Sequence, residues 1–307
     1  GSSTLISNTD GNYNTASGTS ALYNNTTGSW NTASGYRSLY SNTTSKYNVA
    51  VGAFALEENS KGEYNVAVGY NTSRYGTTLT NTTAVGAEAK AVGKSSTAIG
   101  AAAQAMSENS TAIGLFAVVN TRDKIRLGNE FVTEVETQFK YTTVSDGRFK
   151  NNVKEEDIKG LEFIKKLHPV AYNFDTRKFQ EHITQNIPAA LRNQYINQDF
   201  SASTAVRRSG FIAQEVEKAA QEVGYDFDGV SKPQGASGNY SLAYSQFVVP
   251  LVKGMQELAQ KDEQKDKQIE QQQQKIDQLQ QRLEALEKMI VGNNNSVLTK
   301  DALSKPN

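Results

Sequence analysis

Eight glycines constrain the first half of this chain more than any other feature. Gly18, Gly35, Gly52, Gly69 and Gly86 stand 17 residues apart, and Gly100, Gly114 and Gly128 continue at a spacing of 14. An alanine sits two residues before each of the first seven: Ala16, Ala33, Ala50, Ala67, Ala84, Ala98 and Ala112. The residue between them is Ser17 or Ser34 at first, then Val51, Val68, Val85, Ile99 and Ile113. A fixed period of this length is the signature of a solenoid, in which each coil adds short strands to a growing stack. The alternation of a strand turns each alanine toward a crowded interior, and the glycine supplies the turn that ends the strand.

Composition argues the other way and loses. Ser, Thr and Asn make up 38 of the first 82 residues, a polar richness that by itself suggests disorder. A strict repeat overrides it, because stacked coils bury one another's small apolar residues. Asn14, Asn31, Asn48 and Asn65 hold the position four before each of the first four glycines. Stacked amides at one register predict a hydrogen-bonded ladder along the roll. The sequons, such as Asn42-Thr43-Thr44, follow from the composition.

The segment AVGKSSTAIGAAAQAMSENSTAIG, residues 91–114, resembles the 14-residue repeat of YadA-like trimeric autotransporter adhesin heads. The resemblance covers roughly residues 12–129. It implies a left-handed parallel β-roll in which three chains pack side by side. The 17-residue coils depart from that repeat by three residues, read here as a longer loop on one face. This loop carries Tyr23, Trp30, Tyr36, Tyr40, Tyr47, Phe54, Tyr64 and Tyr70 or their near neighbours. Regularly spaced aromatics either stack on sugar rings or pack on neighbouring coils or chains, and packing is the preferred reading.

After Gly128-Asn129 the repeat stops. Phe131, Thr133, Val135, Thr137, Phe139, Tyr141 and Thr143 then alternate with mostly polar partners, the pattern of a strand with one buried face. A lone strand of this length has no local partner, so three intertwined copies forming a triangular stem are expected.

Three ordered blocks follow: Val144-Ser145-Asp146-Gly147-Arg148-Phe149-Lys150-Asn151-Asn152-Val153, then Gly210-Phe211-Ile212-Ala213-Gln214-Glu215-Val216, then Leu242-Ala243-Tyr244-Ser245-Gln246-Phe247. Together they resemble the C-terminal intramolecular chaperone domain of endosialidases and other phage tailspikes and fibres, over residue 145 to about residue 260. The resemblance implies a domain that assembles a trimer and then cuts itself off with a Ser–Lys dyad. Ser145 then corresponds to the nucleophile, Lys150 to the base, and Val144–Ser145 to the scissile bond. Phe149 stands where Leu is more usual.

The spacing sets a geometric condition on that dyad. Five residues of strand separate two side chains by about 16 Å, and on a helix they lie roughly 140° apart. A turn at Asp146-Gly147, or a lysine from a neighbouring chain, is therefore required. Ser145 follows the scissile bond, so its hydroxyl reaches the Val144 carbonyl through a five-membered ring, an N-to-O acyl shift. Lys150 has to be neutral to take the proton, which calls for burial or a nearby positive charge such as Arg148.

The family usually joins the Pro169–Phe174 strand to the Gly-Phe-Ile-Ala-Gln strand by a short connection. Here residues 175–209 are inserted, with helices expected around Phe179–His182 and Ala189–Tyr195. Ile158, Leu161, Ile164 and Leu167 mark a helical stripe that Pro169 ends, and Gln214–Val223 reads as a helix stopped by Gly224. Ser231–Gly235 reads as a loop before a strand at Tyr240–Tyr244. His168 and His182, the two histidines, are read as structural.

From Leu251 a 4-3 spacing runs through Met255, Leu258, Ile269, Ile276, Leu279, Leu283, Leu286 and Ile290, with Asp262, Lys265 and Gln272 at polar seam positions. That is a heptad coiled coil, three-stranded if the rest is trimeric. The expected fold class is accordingly a mainly β, trimeric, left-handed parallel β-roll with a β stem, an α/β chaperone domain and a trimeric coiled coil. The expected boundaries are 1–129 for the roll, 130–144 for the stem, 145–250 for the chaperone auto-peptidase, 251–290 for the coil and 291–307 for a frayed tail.

Charge narrows the partners. Thirty-two basic residues balance thirty-two acidic ones, so no net field draws the chain to nucleic acid. No apolar run approaches a membrane span. The chain has no cysteine, which excludes disulfides, zinc fingers and a Cys nucleophile, and no cofactor or metal is expected. Gly-Ser-Ser-Thr-Leu at the start is no secretion signal and reads as the edge of a piece whose parent extends upstream.

The expected partners are two further copies of the chain, a cell-surface receptor or glycan, and a baseplate or upstream fibre segment. The expected setting is a virion tail fibre, a contractile injection system fibre or an extracellular surface. The alternative functions are a structural or adhesive trimer with a non-cleaving chaperone cap, and a membrane-bound transcription factor that shares the chaperone. The last lacks its DNA-binding and membrane-spanning segments here.

Overall fold

The computed structural model describes residues 1–302 apart from 133, 137, 139–141, 236 and 237, with side chains described as far as residue 290, residue 190 excepted. It divides into two compact units: Gly1–Phe149 with His168–Gln214 and Val230–Leu242, and Lys150–Leu167 with Glu215–Gly229 and the chain from Ala243 onward.

The first unit is built on a parallel β-solenoid. Its strands are β1 (Thr15–Ser17), β2 (Thr32–Ser34), β3 (Val49–Val51), β4 (Val66–Val68), β5 (Thr83–Val85), β6 (Lys90–Ala91), β7 (Thr97–Ile99), β8 (Gln104–Ala105), β9 (Thr111–Ile113), β10 (Val118–Val119) and β11 (Ile125–Leu127). Eight of them form one sheet in the order β1-β2-β3-β4-β5-β7-β9-β11, and β6, β8 and β10 form a second. The register stacks alanine on alanine from Ala16 to Ala112, and Arg126 takes that position in the last coil.

Ala33, Ala50, Ala67, Ala84, Ala98 and Ala112 are fully buried, so the repeat core is a column of methyl groups. The glycines are needed where they stand. Gly52 has φ +126°, and a Cβ there would lie 2.3 Å from the carbonyl oxygen of Gly69 in the next coil. No other residue tolerates both the dihedral and the contact.

The longer coils differ from the shorter ones in architecture as well as loop length. The second sheet exists only where the spacing is 14. In the 17-residue coils the corresponding segment is a chain of turns, with Leu22, Leu39 and Leu56 at positive φ and fully buried. The expected asparagine ladder is present. The Oδ1 atoms of Asn14, Asn31, Asn48 and Asn65 accept the backbone N–H of the next coil at 3.0–3.1 Å.

Beyond the solenoid, the described residues of 130–144 contain no strand, and Phe131, Val132 and Val135 are 42–55% exposed in the single chain. Thr133, Thr137, Phe139 and Tyr141 of the expected stem lie outside the described residues. The chain after residue 145 supplies an antiparallel pair, Val170–Asn173 with Arg207–Gly210. The second strand therefore ends at Gly210 instead of beginning there, and the Phe-Ile-Ala-Gln that follows leads into the helix Ala213–Glu222. The insertion holds the helices Thr176–Ile183, Ala189–Ile196 and Ser201–Ala205. The third, of sequence SASTA, has no apolar stripe by which a sequence reading would find it. The strand expected at Tyr240–Tyr244 is reduced to Ser241–Leu242, paired with Val230–Ser231.

In the second unit Phe163 is fully buried among Tyr225, Phe227 and Phe247, with ring centroids 5.0–6.5 Å away. The helical stripe shrinks to Leu161–Ile164, because Gly160 breaks it. Gly160 has φ −86° and ψ −103° and lies against the long helix Val248–Ala302, where Gly254 leaves room for it. Glu257 of that helix accepts the Leu161 N–H at 2.7 Å. The helix continues to Ala302, so the residues expected as a frayed tail are helical for about a further three turns.

A Cβ on Gly160 would meet the backbone of Gly254 at 2.6 Å and of Lys253 at 2.8 Å. Gly160→Ala is expected to destabilise the second unit by about 1–3 kcal/mol through overpacking. A lower denaturant midpoint at unchanged slope checks it.

Candidate functional site

Residues 142–146 lie outside regular secondary structure, and Val144 is 83% exposed. The peptide bond expected to be cut is therefore presented in an open stretch. A 3-10 turn, Gly147–Phe149, follows at once. Asp146 organises it: its carbonyl accepts the Phe149 N–H at 3.1 Å and its Oδ1 accepts the Arg148 N–H at 2.9 Å. A turn thus lies between Ser145 and Lys150, held by an Asp side chain folding back on its own backbone.

The same carboxylate binds the Arg148 guanidinium, with Nη2 to Oδ2 at 2.6 Å and Nε to Oδ2 at 3.0 Å. These bonds hold the Asp146 carboxyl below the usual carboxylate range and raise the guanidinium in turn. Arg148 was the cation expected to help neutralise Lys150. It is engaged with Asp146 in an exposed ion pair. Ser145 belongs to the first compact unit and Lys150 opens the second, and both side chains are exposed in the single chain. His168 is exposed, and His182 Nε2 lies 2.9 Å from the Gly238 carbonyl, a structural contact.

Sequence reasoning missed three features of the first unit. A second asparagine series runs through Asn8, Asn25, Asn42 and Asn59. The Asn25 and Asn42 amides each donate to the Oδ1 of the coil before at 2.7 Å, and Asn59 donates to the Gly62 carbonyl at 2.9 Å. Its signal was available in the Asn-x-x-Gly/Ser spacing. Burial of Asn42 also removes its sequon from reach. Next, buried Glu57 is clamped by Arg37 at 2.6 Å on one side and by Arg74 on the other. Lastly, the aromatics form columns: Tyr13, Trp30, Tyr47 and Tyr64 stack face to face at 4.8–5.3 Å. Packing on neighbouring coils is what these rings do, and their inner faces are taken.

The insertion is not a free loop. Tyr195 is fully buried, donates its hydroxyl to the Ala102 carbonyl at 2.7 Å and accepts from Gln104. Burial pushes its hydroxyl up to about 12.

Residues 145–225 match the peptidase family model described as chaperone of endosialidase. The match spans the first two of the three sequence blocks and ends before the third. No curated protein matches the chain. No helix among the described residues is long and apolar enough to cross a membrane.

Proposed function

We propose that the chain is one protomer of a homotrimeric fibre of the tail-fibre or surface-adhesin kind. Its C-terminal region is an intramolecular chaperone that directs assembly and then severs itself between Val144 and Ser145. The observation that carries this reading is the family match, which begins at residue 145, directly after the proposed scissile bond.

Two exposed apolar surfaces support the trimer. On the larger sheet the outward residues Val51, Val68, Val85, Ile99, Ile113 and Leu127 form a stripe, each 36–51% exposed. Along the long helix the apolar heptad positions from Leu251 to Ile290 are 47–66% exposed. Faces of this length on a lone chain are what copies of the same chain cover.

In the proposed reaction the Ser145 hydroxyl attacks the Val144 carbonyl and its proton passes to neutral Lys150. The C–N bond breaks, the freed α-amine of Ser145 takes up the proton, and Val144 is left as an ester on Ser145 Oγ. Water then hydrolyses the ester, restoring the hydroxyl and releasing the Val144 carboxylate. Held geometry supplies much of the rate, because the attacking hydroxyl and the carbonyl it attacks belong to adjacent residues. Lys150 is exposed in the single chain, so on this reading its desolvation comes with assembly, and cutting waits for the trimer. The setting remains a virion tail, an injection device or an extracellular surface, with a receptor or glycan and an upstream fibre or baseplate as partners.

A second reading is a non-cleaving chaperone cap, in which Arg148 stays paired with Asp146 and the dyad is silent. Intact-mass measurement of aged protein decides between the two. The unsubstituted chain is expected to give fragments of 144 and 163 residues, the larger beginning Ser-Asp-Gly-Arg. Ser145→Ala and Lys150→Ala are each expected to remain whole and to scatter light as three times 33.5 kDa. A Val144–Ser145 bond that survives long incubation of the unsubstituted trimer demotes the domain to the cap.

A further inference from the structure

We infer that the insertion, residues 175–209, is a latch that keeps the C-terminal fragment docked on the 14-residue coils after the chain is cut. The inference rests on the self-cleavage reading only for its occasion. The docking surface itself stands on contacts within the first unit.

The second sheet turns Ala91, Ala105 and Val119 into the solenoid core and leaves Gln104 and Val118 facing outward. Outward positions on a solenoid are normally wet. Here Gln104 is 1% exposed and Val118 3%, because Ile183, Ile187 and Tyr195 of the insertion cover them. The Tyr195 ring meets Phe116 edge-on at 5.1 Å, and its hydroxyl bridges the Gln104 side chain and the Ala102 carbonyl, so the hydroxyl driven into the contact is satisfied. At the margin Asn120 donates to the Ile183 carbonyl at 3.2 Å, and Phe131 stacks on Phe200 at 5.5 Å and 6°.

Two points make this a built surface. The short coils, which alone carry the second sheet, coincide with the docking face, so the change of spacing from 17 to 14 provides a platform that the long coils lack. And every contact named joins a residue before Val144 to one after Ser145. None of them depends on the peptide bond between those two. A cut at that bond leaves an apolar interface with a buried, hydrogen-bonded tyrosine at its centre. The chaperone is thereby retained as a cap on the fibre.

The test separates the latch from the cutting chemistry. A recognition sequence for an added protease is placed between Val144 and residue 145 in the full chain carrying Ser145→Ala, so the nick is made at will. Residues 1–144 and 145–307 are expected to co-elute in gel filtration after nicking. Combining Ile187→Glu with Tyr195→Ala is expected to release the C-terminal fragment, and Tyr195→Phe, which keeps the ring and loses both hydroxyl bonds, to release it more slowly. Before nicking, the double variant is expected to speed amide exchange across Ala102–Val119 while the trimer mass holds. Dissociation of the nicked unsubstituted interface overturns the latch, as does co-elution with unchanged exchange in the double variant. A silent dyad affects neither result, since it is read in the mass spectrum of the unsubstituted chain.

Discussion

A chain ending at Val144 is expected to accumulate as aggregate or misfolded monomer where the full chain gives soluble trimer. Two losses act together. The first is burial: Ile183, Ile187 and Tyr195, all 0–4% exposed, are taken from the outer face of the second sheet. At about 1.5–3 kcal/mol for each large apolar side chain, the deficit approaches the whole stability of a typical domain, about 5–15 kcal/mol. The second is register between copies. The outward stripe repeats Val51, Val68, Val85, Ile99 and Ile113 at nearly equal exposure, so three rolls displaced by one coil lose little contact. A strand pairing with so uniform a face specifies its register weakly. An external template, here the region after Ser145, is what selects the aligned trimer. Sedimentation and light scattering of residues 1–144 check the expectation, and a soluble, heat-resistant trimer from that fragment would show the C-terminal region to be dispensable for folding.

How much of this was legible in the sequence follows from what periodicity can carry. A period reports features that recur, and those were readable: the alanine column, the positive-φ glycines and the Asn14–Asn65 ladder. The heptads from Leu251 likewise announced a long helix. One-off contacts between distant segments leave no period. Tyr195 sits in a largely polar stretch whose few apolar neighbours, Leu191 and Ile196, do not say what they pack on, and its partners Ala102 and Gln104 look like any other repeat residues. The clamp of Glu57 by Arg37 and Arg74 occurs once and was invisible for the same reason. Gly160 shortened a helix whose apolar spacing was correct, because the glycine is kept for a close backbone crossing that sequence spacing does not encode. At the candidate site the turn between Ser145 and Lys150 was readable from Asp146-Gly147. The pairing of Arg148 with Asp146 was not, since an i,i+2 ion pair forms only once the turn has closed.

Asn48→Leu is expected to cost more than any substitution of an outward-facing polar residue in the roll. The Asn48 Oδ1 accepts the Asn65 N–H at 3.1 Å and the Asn65 amide at 2.9 Å, and both residues are fully buried. Leucine is close to asparagine in reach but accepts nothing, so two buried donors lose their partner at once. Each unsatisfied group costs about 1–3 kcal/mol, giving about 2–6 kcal/mol per chain. The Gly62 carbonyl keeps one donor, Asn59 at 2.9 Å, which limits the damage on the other side. Position within the stack sets the size of the effect. Asn14 makes the same bonds at the end of the ladder, its Oδ1 accepting the Asn31 N–H at 3.0 Å, but it is half-buried and water can replace it. Asn14→Leu is therefore expected to cost clearly less than Asn48→Leu, and Asn12→Ala, at an exposed position, about 0.5 kcal/mol or less. Because each coil is held by its neighbours, a break at Asn48 also uncouples the coils on either side. Thermal melting of the three variants ranks them directly. Equal midpoints would mean that the alanine column alone sustains the solenoid and that the asparagines only fill it.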